Sequence, residues 1–177
     1  MHTLHYWTIE AEDKEQAFQE VTYSLINEDG TNRIEWSDWH VVGGGRWNPE
    51  GDSYQNSDNM IVCYQDEPDK FKEILQSCKT ARKDEMNNCL SEIKTDKFIS
   101  DIVDFISNNG VAKDELRFSM NNYYIGSATD LLQDSYTPNS FFYDLAEHSA
   151  SLQYVQERLD KPTSGLLQFI VPIDFHF

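Results

Sequence analysis

The chain has 177 residues, 39% hydrophobic and 13% aromatic, with 31 acidic side chains against 14 basic ones and a net charge of −17. That length and apolar content fit a single domain, 1–177, and exclude a disordered chain. The charge excludes direct binding to nucleic acid, whose affinity rests on basic groups displacing counterions.

The opening residues carry neither a basic region nor an apolar run, so no secretory leader is visible. "LHYWTIEA" (4–11) predicts a strand. Asp13 and Gln16 form a capping box for a helix whose Ala17, Val21 and Leu25 share one face, with Gly30 as its stop. "RIEWSDWHVV" (33–42) predicts a strand running into three glycines, followed by a polar, turn-rich loop at 48–59. "MIVCY" (60–64) is apolar enough for a central strand. Pro68 suits a first helical position. Phe71, Leu75 and Cys78, then Met86, Leu90 and Ile93, keep helical spacing in one long helix or two broken near Lys83. A further helix turns Phe98, Ile102, Phe105 and Ile106 inward and stops at Asn109-Gly110. Residues 115–126 read as a hairpin around Asn121-Asn122. Phe141, Leu145, His148, Leu152, Val155 and Leu159 step by three and four, which predicts a helix ended by Lys161-Pro162. The last segment, "GLLQFIVPIDFHF", alternates strictly. Its Pro172 cannot donate to a ladder and predicts an edge strand or a bulge.

The predicted fold is α+β: a mostly antiparallel sheet with helices packed on one face, specifically a ferredoxin-like core with a helical insertion at about 66–110. No run reaches the roughly 18 apolar residues of a membrane-spanning helix. Cys63, Cys78 and Cys89 lack metal-ligand spacing and read as buried thiols of a reducing cytoplasm.

The most unusual stretch is "WSDWHVVGGGRWNPEG" (36–51), with three of the four tryptophans, three glycines and Arg46. Its glycines permit a sharp turn whose amides can cradle an anion. Arg46 could grip a phosphate, and Trp39 and Trp47 could stack on a ring. A ligand site of Trp39, His40, Gly43, Gly44, Gly45, Arg46 and Trp47 follows from that reading. The bland alternative is a strand bend with tryptophans in the core. The segment is neither a P-loop nor GxGxxG.

Asp38 and His40, with Asp174 and His176, offer a weaker two-histidine, two-carboxylate metal set if their strands are neighbours. His2 and His5 read as flanking an exposed N-terminus, and His148 as a core histidine. No motif assigns a catalytic residue or a cofactor. The acids are densest early, 12 against 3 bases in the first 60 residues. Glu10, Glu12, Asp13, Glu15 and Glu20 there form a candidate surface for a basic protein partner.

"SDWHVVGGGRWN" and the closing "IVPIDFHF" resemble small phage-encoded proteins with an Asp-Trp…Gly-Gly-Arg-Trp signature and a final Asp-x-His strand. A similar arrangement occurs in a ferredoxin-like domain of phage and plasmid proteins. Here four residues, not three, separate Asp38-Trp39 from Gly44-Gly45-Arg46-Trp47. The resemblance implies a viral or mobile-element origin and such a fold. Together with the charge it leads to one expectation of function: a non-enzymatic acidic protein, in the host cytoplasm, that interferes with a host defence factor. The alternative is a nucleotide or nucleotide-signal binder, with or without catalysis. A homodimer is left open.

Overall fold

The computed structural model describes residues 1–93, 95–111, 115–163 and 165–177, with the side chains at 95–98 and 115–118, Phe98 included, outside that description. In chain order it contains β1 (His2–Ala11), α1 (Lys14–Ser24), β2 (Trp39–Val42), β3 (Val62–Cys63), α2 (Pro68–Glu92), α3 (Thr95–Ser107), α4 (Glu115–Leu132), β4 (Phe142–Asp144), α5 (Leu152–Asp160) and β5 (Leu167–His176). No helix among the described residues is long and apolar enough to cross a membrane.

The fold is α+β, but the sheet is mixed rather than mostly antiparallel. Its order is β2-β5-β1-β4, with β3 also on β5. β1 and β4 run parallel, while β5 pairs antiparallel with β1, β2 and β3. The ferredoxin-like core expected from the resemblance has an antiparallel sheet, and the β1–β4 pair departs from it.

Helices cover both faces, not one. On one face Trp7, Ile9, Phe169, Val171 and Ile173 meet Ala17 and Val21 of α1 and Leu25 just beyond its end. On the other, Val62, Phe142 and Ile170 meet Phe71 and Cys78 of α2 and Val155 of α5. The alternation read in the last strand divides its side chains between two cores. Burial pushes the Cys78 thiol up to about 12. It and the other two cysteines are free and buried.

β5 is central, not an edge, despite Pro172. Along one side of β5, β2 pairs with residues 173–176 and β3 with 169–170. Pro172 falls in the gap between them. Its carbonyl faces that gap and accepts from Gly43 N–H at 2.7 Å and Gly44 N–H at 3.1 Å. In a strand a residue's nitrogen points the same way as its oxygen, so the absent N–H faces a place where no strand needs it.

Local signals hold for α1: the Asp13 carboxylate accepts from Gln16 N–H, and Gln16 Oε1 accepts from Glu12 N–H. They are overridden in two places. Residues 115–126 are helix, not hairpin. Asn121 is buried and donates to Asp101 of α3 at 3.2 Å, so a turn-forming residue is spent on a tertiary contact. The predicted helix over 141–159 is a strand, a turn and then α5. Phe141 and His148 take left-handed φ of 57° and 51°, and Phe142 pairs with Tyr6. Of the residues at that spacing, Leu152, Val155 and Leu159 pack in one core from α5, while Leu145 packs against the other. His148 is exposed, with Nδ1 3.3 Å from Tyr143 Oη.

His5 is fully buried rather than exposed. Trp7 Nε1–H donates to Tyr136 Oη at 2.7 Å. The Tyr136 hydroxyl therefore donates to His5 Nδ1 at 2.9 Å, which leaves the ring proton on Nε2, 3.1 Å from the Pro138 carbonyl. Burial holds this imidazole neutral and lowers its pKa to about 3. The unfolded chain takes up a proton near pH 6.5 that the folded chain refuses. His5 thus contributes stability present above about pH 6.5 and lost as the pH falls toward 3, with a limiting slope of about 1.4 kcal/mol per pH unit. Urea unfolding at pH 7 and pH 5 is expected to differ by about 2 kcal/mol from this residue alone. His5→Gln removes that difference; an unchanged slope in His5→Gln contradicts the assignment.

Candidate ligand site at one end of the sheet

The register places His2 opposite His176 across β1 and β5, and Trp39 opposite His176 across β2 and β5. Three rings therefore form a row across three adjacent strands. His176 lies parallel to Trp39, with centroids 5.1 Å apart and planes at 13°. His2 meets both edge-on, 4.9 Å from His176 and 5.3 Å from Trp39.

One pleat inward, behind that row, is Asp174, wholly buried. Its Oδ1 lies 2.9 Å from His2 Nδ1, and its Oδ2 accepts the Arg46 main-chain N–H at 3.1 Å. A carboxylate only accepts, so His2 holds a proton on Nδ1, and a neutral ring would keep its lone pair on Nε2. This carboxylate–imidazole pair can take a proton from water or from a ligand hydroxyl. His176 Nδ1 is buried and makes no hydrogen bond with the described residues, with Asp38 Oδ2 3.4 Å away as an ion partner when the ring is protonated.

The glycine turn brings the Arg46 amide to Asp174. Gly43, Gly44 and Gly45 have φ of 96°, 89° and 47°, and a 3₁₀ turn follows at Gly45–Trp47. A Cβ at Gly43 would lie 1.9 Å from the Ser57 carbonyl oxygen, and one at Gly45 2.6 Å from Asp174. These glycines are required for the close approach of the loop and of β5. Three of the turn's amides are spent inside the fold, those of Gly43 and Gly44 on Pro172 and that of Arg46 on Asp174.

The Arg46 side chain is exposed, with its guanidinium 6.0 Å from the Trp47 ring centre. Trp47 is 39% exposed and stands 6.3 Å from His2. Tyr54, in the polar loop, reaches to 6.0 Å from Trp39. Trp36 packs instead against the core. The tryptophans thus divide, with Trp39 and Trp47 at the site and Trp36 inside.

His40 does not belong to this site. It pairs with Phe175 and so lies on the opposite face from Asp174 and His176. Burial pulls its pKa below the usual imidazole range. The predicted metal set of Asp38, His40, Asp174 and His176 is divided by the sheet itself. Among the described residues no three His, Cys, Asp or Glu side chains gather as metal ligands. Glu12, Asp13, Glu15 and Glu20 are exposed at α1, over the other face, while the half-buried Glu10 accepts from Gln168 Nε2 at 2.7 Å. His2 is the site residue missed from sequence. The signal was there: a histidine at the start of one alternating strand and Asp-x-His at the end of another meet once the two pair antiparallel.

No protein-family model matches this chain, and no curated protein or solved structure matches it either.

Proposed function

We propose that the protein binds a nucleotide-type ligand, a planar ring carrying phosphate, at the row formed by His2, His176 and Trp39. The observation that carries this reading is the row itself: three rings side by side at a sheet end, one held by a buried carboxylate, beside the exposed Arg46 and Trp47. Trp39 and Trp47 offer faces for a base, and Arg46 offers two parallel N–H donors for phosphate. Mononucleotides and cyclic oligonucleotides are expected to quench tryptophan fluorescence and raise the melting temperature. Arg46→Ala is expected to melt like the parent, because its side chain is exposed and its main-chain N–H survives. It should bind roughly tenfold more weakly. If no nucleotide in such a panel shifts either signal, the reading fails.

A second reading is favoured by the exposed Glu12, Asp13, Glu15 and Glu20 at α1. In it an acidic, phage-encoded protein covers a basic surface of a host defence factor. Binding to a basic protein that weakens with salt, and weakens again in Glu15→Lys/Glu20→Lys, supports it; salt-insensitive binding opposes it.

A further inference from the structure

A groove of about 700 Å³ runs between α2, the end of α4 and the start of α5, and its lining shares no residue with the ring row. Its charge opposes that of the molecule. Of the chain's 14 basic side chains, Lys72, Lys79, Arg82 and Lys83 line it, and Asp134 is the one carboxylate among its described lining. Asp134 is already spent on Arg82 at 2.6 Å. Arg82 is fixed besides by the carbonyls of Leu131 and Ala150, so it frames the groove. Lys79 and Lys83 are exposed and form no ion pair with the described residues. Helical spacing sorts these charges: Lys72, Lys79 and Lys83 fall on one stripe of α2, while Glu73 and Asp84 lie along the neighbouring face.

We infer that this groove docks a short, acidic, amphipathic helix from a partner protein. The floor carries Leu75, Met86, Leu131 and Leu152, which suit an apolar helix face. The α2 rim from Lys72 to Met86 spans about 20 Å at 1.5 Å per residue, which matches a helix of about four turns. The lysines meet acids flanking its apolar stripe. A nucleic-acid strand fits less well: no aromatic side chain stands among the described lining to stack a base, and an apolar floor gives phosphate nothing. A second copy of this chain brings a charge of −17 with it, which a short segment does not.

The test uses the full chain and a fluorescent peptide of about 15 residues, with leucines at helical i, i+4, i+7 spacing and glutamates on both flanks. Anisotropy is expected to report binding that weakens at least about tenfold in Lys79→Glu/Lys83→Glu and falls as salt rises from about 50 to about 500 mM. Both lysines are exposed and form no ion pair with the described residues, so the variant is expected to keep the parent's melting temperature. Four results overturn the inference: no peptide binding, equal binding of a scrambled peptide, equal or tighter binding of single-stranded DNA that is lost in the double variant, or peptide binding unchanged in the double variant. Self-association in ultracentrifugation that is lost in the double variant also overturns it, in favour of a second copy. Nucleotide binding at the ring row does not enter any of these outcomes.

Discussion

Gly43→Ala is expected to cost about 4 kcal/mol of folding stability and to lower the melting temperature by roughly 10 °C. Two effects add. A side chain at φ 96° is strained wherever it sits. In addition its Cβ would stand 1.9 Å from the Ser57 carbonyl oxygen, a main-chain atom. Ser57 cannot withdraw freely, because its N–H donates to Val42 O at 2.9 Å. The loop must therefore leave β2, and the Gly43 and Gly44 bonds to Pro172 loosen with it. Gly30→Ala is the control. Its φ of 81° is similar and nothing lies within 4 Å, so only the backbone penalty of about 1 kcal/mol remains. Chemical unfolding of the two variants side by side separates strain from collision. Equal losses mean that the collision with Ser57 is relieved at no cost.

Arg158→Met is expected to cost about 3–5 kcal/mol, because it leaves a buried carboxylate without its cation. Asp144 ends β4 with no exposed side-chain surface, while Arg158 on α5 is 12% exposed. The guanidinium grips both carboxylate oxygens, Nη1 to Oδ2 at 2.9 Å and Nη2 to Oδ1. Thr8 Oγ1 on β1 donates to the same Oδ1 at 2.9 Å. One carboxylate thus ties two strands to a helix. Asp144→Asn combined with Arg158→Met is expected to recover most of the loss, since an amide keeps an acceptor for Thr8 and needs no counter-charge. Urea unfolding measures all three proteins. A double variant no better than Arg158→Met alone assigns the loss to packing of the arginine stem instead of to the stranded charge.

These two sites show how much could be read in advance. β1, α1 with its cap, the start of α2 at Pro68 and the alternation of β5 were legible because each depends on neighbours in sequence. Asn121 and Phe141 misled because each is placed by a distant element: a buried Asp101 holds one in a helix, and the Tyr6 N–H holds the carbonyl of the other at the entry to β4. Pro172 misled for a subtler reason. The rule against proline in a central strand assumes a continuous neighbour, and here the neighbour changes from β2 to β3 opposite that residue. The stretch at 36–47 supplies Trp39 to the ring row, while its glycines bring the turn against β5. His2 stayed hidden because its importance depends on the pairing of residues at opposite ends of the sequence.

The central position of β5 also governs biosynthesis. β1, β2 and β3 all take their antiparallel partner from Leu167–His176, and the alternative for β1 is three residues of β4. A ribosome delivers β5 after every other element, so the emerging chain can form its helices early while three strands wait with open edges. Closing the sheet then spans nearly the whole sequence, which predicts slow folding. It also leaves β1, with Trp7 and Ile9, bare until late. For this molecule the interval before β5 emerges is when aggregation competes most strongly with folding, and a chaperone that shields β1 during that interval should raise the yield of folded protein.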